Sequence, residues 1–100
     1  MSWDISELQL ENWRIAEKNG FHDDGRSRAK VLALVHSEVS EALEADRDPD
    51  VPKKHYAEEL ADIVIRVLDH AEEESIDLER AIMEKMSENA ERDYKHGKNY

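Results

Sequence analysis

Four carboxylates stand as two i, i+3 pairs: Glu38-x-x-Glu41 and, after the 17 residues 42–58, Glu59-x-x-Asp62. Acids at that spacing share one side of a helix, and paired acids on facing helices are how bundles assemble metal sites. A wheel at about 100° per residue places Val31, Leu32, Leu34, Val35, Val39, Ala42, Leu43 and Ala45 on one broad arc. Glu38 falls inside that arc and Glu41 at its edge. Two readings follow: Glu38 snorkels or pairs with a Lys or Arg, or it forms with Glu41 a carboxylate pair aimed into the bundle. The second pair sits differently. Leu60, Ala61, Ile63, Val64, Ile65, Val67, Leu68 and Ala71 form the next apolar arc, and Glu59 and Asp62 lie outside it with Arg66, Asp69 and Glu73. There Asp62 and Arg66, at i, i+4, suit an ordinary surface pair.

Two like charges about 4 Å apart repel by roughly 4 kcal/mol at an effective dielectric of 20, and four carboxylates multiply such terms. Protons or a divalent cation must relieve them. All-oxygen ligands select a hard ion, Mg²⁺ or Mn²⁺. Because Mg²⁺ usually takes only one or two carboxylates, four acids imply more than one ion or ligation through water. Near the C-terminal end, Lys85, Asn89 and Arg92 continue the apolar face of Leu78, Ala81, Ile82 and Met86. They read either as an amphipathic row with apolar stems and wet heads, or as a cation–amide row that faces the acids and holds phosphate oxygens.

Three Gly and two Pro punctuate the chain. The pattern predicts a first helix over Ile5–Asn19, capped by Asp4 or Ser6 and stopped by Gly20. A second covers Ser27–Ala45. A third is capped by Asp50, carries Pro52 in its first turn and continues to Glu74. A fourth, capped by Asp77, reaches Tyr94, followed by a basic tail, Lys95 to Tyr100. No sustained alternation calls for strands. The expected fold is an all-α four-helix bundle in one domain over residues 1–100.

Apolar and charged residues each make up 39% of the chain, so the core is thin and oligomerisation, as a homodimer or homotetramer, is expected to complete it. The net charge of −11 disfavours a nucleic-acid polymer or an anionic membrane as partner. No apolar run approaches the roughly 18 residues of a membrane span. MSWDISELQ carries no basic-then-apolar leader, and a cytoplasmic location is expected. Zero cysteines exclude disulfides, thiolate nucleophiles and Cys-ligated zinc.

The two acidic pairs together resemble the ExxE…ExxD signature of the MazG-like all-α NTP pyrophosphohydrolases, a superfamily that includes dimeric dUTPases and dCTP pyrophosphatases. LVHSEVSEALEADRD is similar to that family's acidic second helix and EELADIVIRVLDHAEE to its third. KMSENAERDYKHGK resembles the C-terminal K-x₃-N-x₂-R-x-Y-x-H-G-K segment of its short members. The likeness runs from Leu32 to Lys98. It departs at Ser40, where many members have Gly, at Asp93, where Pro commonly follows the Arg, and at the single Gly97, where two are common.

The resemblance implies hydrolysis of a (deoxy)nucleoside triphosphate to the monophosphate and pyrophosphate, a house-cleaning reaction on the nucleotide pool. It implies Glu38, Glu41, Glu59 and Asp62 as Mg²⁺ ligands, with Mn²⁺ a substitute and Glu41 the candidate to orient or deprotonate the attacking water. Lys85, Asn89 and Arg92 are the implied triphosphate contacts, joined by Tyr94, His96 and Lys98. Trp13 and Phe21 are candidates to stack on the base, although Trp13 beside Leu8 and Leu10 also suits a core aromatic. The competing expectation is a non-catalytic acidic helical dimer that binds or scaffolds. A carboxylate-bridged di-iron bundle fits less well, because that class uses Glu-x-x-His and His55-x-x-Glu58 runs in the opposite sense.

Overall fold

The computed structural model describes residues 2–22 and 25–92. Four helices follow one another: α1 (Ile5–Lys18), α2 (Arg28–Arg47), α3 (Lys53–Glu73) and α4 (Leu78–Ala90). Among the described residues there is no strand. The chain is all-helical, as its patterning requires.

Local chemistry sets the ends. Asp4 opens α1 with a reciprocal capping box: its carboxylate accepts from the Glu7 amide while the Glu7 side chain accepts from the Asp4 amide. Ser27 caps α2 and Asp77 caps α4 in the simpler one-way manner. Two helices end alike. At α1, Gly20 adopts φ 76°, and the amides of Gly20 and Phe21 donate back to Glu17 and Ala16. At α3, Ser75 takes the same left-handed conformation, φ 56°, and Ser75 and Ile76 donate to Glu72 and Ala71. Such a conformation is costlier for serine than for glycine.

Three expected boundaries are corrected. Asp50 does not cap α3: its own amide donates to the Asp48 carboxylate, and Pro52 occupies the cap position without a side-chain bond. α2 runs on to Arg47, past Ala45. α4 ends at Ala90, four residues before the expected Tyr94, which lies with the expected basic tail outside the described residues.

α3 packs along both α2 and α1, and α4 rests on α1. The core consists of Ala16, Val31, Ala42, Ala45, Leu68 and Ala71. Four alanines among six residues allow close helix approach but bury little area. α4 buries no residue, and Met83 and Met86 are exposed. Much of the α3 apolar arc is also exposed, including Leu60, Val64, Ile65 and Val67. α3 therefore turns part of its polar side inward, toward the gap between α1 and α2.

Candidate metal centre and adjoining chamber

α2 supplies Glu38 and Glu41 from successive turns, and α3 supplies Glu59 across the α2–α3 contact. One carboxylate oxygen from each lies within 4.8 Å of the others. Glu38 is buried, as the apolar arc predicts. Glu59 departs from its predicted solvated position: only 14% of its side chain is exposed. Its Oε2 is buried with no hydrogen-bond partner, and its Oε1 lies 3.4 Å from His55 Nε2. A buried acceptor without a donor is costly, and a cation relieves it.

Asp62 is exposed and stands beside the triad, lining the same chamber as Glu38 and Glu41. Its charge reaches the cluster. The Glu41 carboxyl is held above its ordinary value of 4.5, chiefly by the negative charge of Glu38. Desolvation, the charge of Glu59, a hydrogen bond with Glu38 and the charge of Asp62 add to that effect. The other three acids of the two sequence pairs thus all act on Glu41.

Arg66 does not form the expected pair with Asp62. Its Nε instead crosses from α3 to donate to Glu38 Oε1 at 3.2 Å. Glu38 is thus ion-paired, as the first reading has it, and also stands within the carboxylate cluster, while Glu41, its partner in the second reading, is exposed. The bridge is monodentate, and Arg66 is 39% exposed at its side chain.

The cluster opens onto a chamber of about 490 Å³ between α1, α2 and α3. Ile15, Phe21 and Ile65 form its apolar wall, while Arg26 and Arg66 bring guanidinium groups to it. Asn12, also in the wall, donates through Nδ2 to the Ile65 carbonyl at 3.2 Å. Acids at one end, cations beside them and an apolar wall suit an anionic ligand with a flat apolar part.

Other predicted site residues are not drawn together with the acids. Lys85 and Arg92 each approach Glu88 on α4, at 3.7 and 3.2 Å. Asn89 is exposed on the same helix. α4 rests on α1, away from the α2–α3 seam that holds the cluster. Trp13 is partly buried, and one face stacks on His22 with ring centroids 3.9 Å apart and planes 21° from parallel. Its predicted neighbours Leu8 and Leu10 are exposed. Phe21 is 64% exposed and faces the chamber. Tyr94, His96 and Lys98 lie outside the described residues.

The sequence pattern missed a second polar network, two of whose members, Arg26 and Asp69, also line the chamber. His22 lies between two acids, with Nδ1 2.6 Å from Glu17 Oε2 and Nε2 2.8 Å from Asp69 Oδ1. Arg26 Nη2 donates to Asp69 Oδ2 at 2.9 Å and to Glu73 Oε2 at 2.7 Å. Asp69 is buried although the wheel placed it on the polar side of α3. Oxygens of Asp69 and Glu73 and a nitrogen of His22 also come within 4.8 Å of one another. There, however, Arg26 already occupies the position of the cation. The available signal was spacing: 59, 62, 66, 69 and 73 form one continuous charged stripe along α3.

No family model, curated protein or solved structure matches the chain.

Proposed function

We propose that the chain is a MazG-like, metal-dependent pyrophosphohydrolase that converts a (deoxy)nucleoside triphosphate to the monophosphate and pyrophosphate. One observation carries the reading: carboxylate oxygens of Glu38, Glu41 and Glu59 from α2 and α3 converge within 4.8 Å, Glu59 has a buried oxygen that no protein donor satisfies, and Glu38 and Glu41 line the chamber. Solvated acids of a scaffold would have no reason to bury that oxygen. The ligand set contains only oxygen, which suits Mg²⁺ or Mn²⁺.

Glu38, Glu41 and Glu59 are the residues that hold the metal, with Asp62 joining directly or through water. A bound divalent ion supplies charge for the phosphate oxygens and lowers the pKa of a coordinated water. Glu41, the most exposed of the triad, would be the residue to orient such a water and accept its proton. Arg66 provides positive charge beside the cluster for the triphosphate, Arg26 lines the chamber at its Asp69 end, and Ile15, Phe21 and Ile65 offer a surface for the base. Assignment of Lys85, Asn89, Arg92, Tyr94, His96, Lys98 and Trp13 to the substrate rests on the sequence resemblance alone. The exposed apolar residues of α3 and α4 support assembly as a homodimer or homotetramer.

The test is pyrophosphate release from a panel of NTPs and dNTPs with Mg²⁺ or Mn²⁺, comparing wild type with Glu38→Gln. The expected result is metal-dependent release from at least one nucleotide, lost in the variant. Absence of release across the panel rejects the enzyme reading in favour of an acidic binding module.

A further inference from the structure

His22 has carboxylate oxygens at both ring nitrogens, Glu17 on one side and Asp69 on the other. A neutral imidazole carries one N–H and can donate to only one of them. Satisfying both requires the imidazolium. Its surroundings favour that form: Trp13 stacks on the ring and presents a π face to the charge. Among the described residues the charged groups around it come from each packed element, namely Glu17 from α1, Arg26 from the α1–α2 connection, and Asp69 and Glu73 from α3. Arg26 opposes the proton, but its guanidinium is committed to the Asp69 oxygen remote from His22 and to Glu73.

The position of this contact gives it a consequence. Phe21, which precedes His22, and Arg26, which shares Asp69 with it, both line the chamber. We propose that His22 is a proton-operated clamp: as imidazolium it ties Glu17 of α1 to Asp69 of α3 and so positions Phe21 and Arg26 in the chamber wall. Loss of the proton leaves one N–H. Asp69 retains Arg26 and is buried, whereas Glu17 is 57% exposed at its side chain and can turn to water. The Glu17 contact is therefore the one released. His22 is a positioning residue, and it touches none of the four proposed metal ligands.

Burial works to lower the His22 pKa, but the hydrogen bonds and charges of Glu17 and Asp69 outweigh it and raise the value above the ordinary 6.5. The sign follows from that direction. The clamp's stabilisation is complete below 6.5 and disappears as pH rises through the folded-state value.

NMR on the intact chain tests the clamp without any ligand. In wild type the His22 ring is expected to carry protons on both nitrogens at pH 6.5 and to titrate above that value. The Phe21 and Arg26 amide resonances should shift with the same midpoint. Glu17→Gln, an exposed change that leaves the fold in place, should lower that midpoint. A His22 midpoint at or below 6.5, an unchanged midpoint in Glu17→Gln, or Phe21 and Arg26 amides that ignore the titration would each overturn the proposal. The link to the chamber rests on the proposed hydrolase reading and is measured separately, on whichever nucleotide in the panel is turned over. Its KM should rise with pH through the His22 midpoint in wild type, and this dependence should be lost in His22→Gln while kcat keeps its pH profile. A pH-independent wild-type KM removes the link to the chamber. Absence of turnover rejects the hydrolase reading, and the NMR result still decides the clamp.

Discussion

Glu59→Gln separates a metal site from a set of incidental acids by inverting an order of stabilities. In the metal-free protein Glu59 is a liability, since Oε2 is buried without a donor. A buried unsatisfied acceptor costs about 1–3 kcal/mol. Repulsion from Glu38 adds a ceiling of about 3–4 kcal/mol for unit charges at this separation and an effective dielectric of 20. Arg66, which bonds Glu38, and solvent at the open side of the cluster reduce that term. Glutamine keeps the shape, removes the charge and puts an N–H₂ donor where two carboxylates stand within 4.8 Å. A net gain of about 1–2 kcal/mol in chelator is the outcome, or roughly 5–15 °C in Tm for a domain of this size. Divalent metal reverses the comparison. Wild type gains about 2.7 kcal/mol at a hundredfold excess over Kd, whereas the variant has lost a ligand and gains less. Melting curves by circular dichroism, in EDTA and in millimolar Mg²⁺ or Mn²⁺, read both halves. A variant that melts at or below wild type in EDTA, or that shows an equal metal-induced shift, would refute the reasoning.

Three further outcomes are expected. Leu68→Ala opens the thin core at its largest buried aliphatic side chain on α3 and should cost about 2–5 kcal/mol, seen as a lowered urea midpoint with little change in slope. Arg28 bonds Glu74 through Nε and Nη2, and these bonds are the chief cause that holds the Glu74 carboxyl below its ordinary 4.5. Wild type should therefore exceed Arg28→Ala in Tm above pH 4.5, with the difference vanishing as pH falls through the lowered value. Val64→Lys places a charge on the exposed α3 arc, so light scattering should show a dimer or tetramer for wild type and a smaller species for the variant.

The helices were legible because their punctuation is chemical: Asp4, Ser27 and Asp77 cap as their side chains dictate, and Gly20 supplies the left-handed turn that ends α1. Asp50 misled because a carboxylate before a proline can cap a helix or close a turn, and nothing in the local pattern decides between them. The end of α3 before Ser75 was legible too, but not its left-handed backbone, which serine adopts only where surrounding contacts enforce it. At the site, Glu38 stood out by interrupting an apolar arc. Glu59 and Asp69 did not, because each lies on a polar side whose orientation the wheel cannot supply. His22 and Arg26 belong to a connection with no periodicity at all, and only the folded chain brings them to Asp69.

The wheel fails on α3 for a physical reason. It assumes that the whole apolar arc faces the core, yet only Leu68 and Ala71 of it are buried and Leu60, Val64 and Val67 are exposed, while Asp62, Arg66 and Asp69 of the charged stripe line the gap between α1 and α2. A helix with this arrangement must compensate the stripe with cations, and the two ends do so unequally among the described residues. At the C-terminal end Glu17, Asp69 and Glu73 meet Arg26 and protonated His22, three negative charges against two positive. At the N-terminal end Glu38, Glu41, Glu59 and Asp62 meet one guanidinium, that of Arg66, with the His55 ring 3.4 Å from Glu59. The first is close to balance without help and works as a clamp. The second has four carboxylates to one guanidinium and an oxygen without a donor, which is the condition a divalent cation relieves. The imbalance also gives the exposed apolar arc a role, since covering it with a second chain would stabilise a helix whose inward face is electrostatically costly.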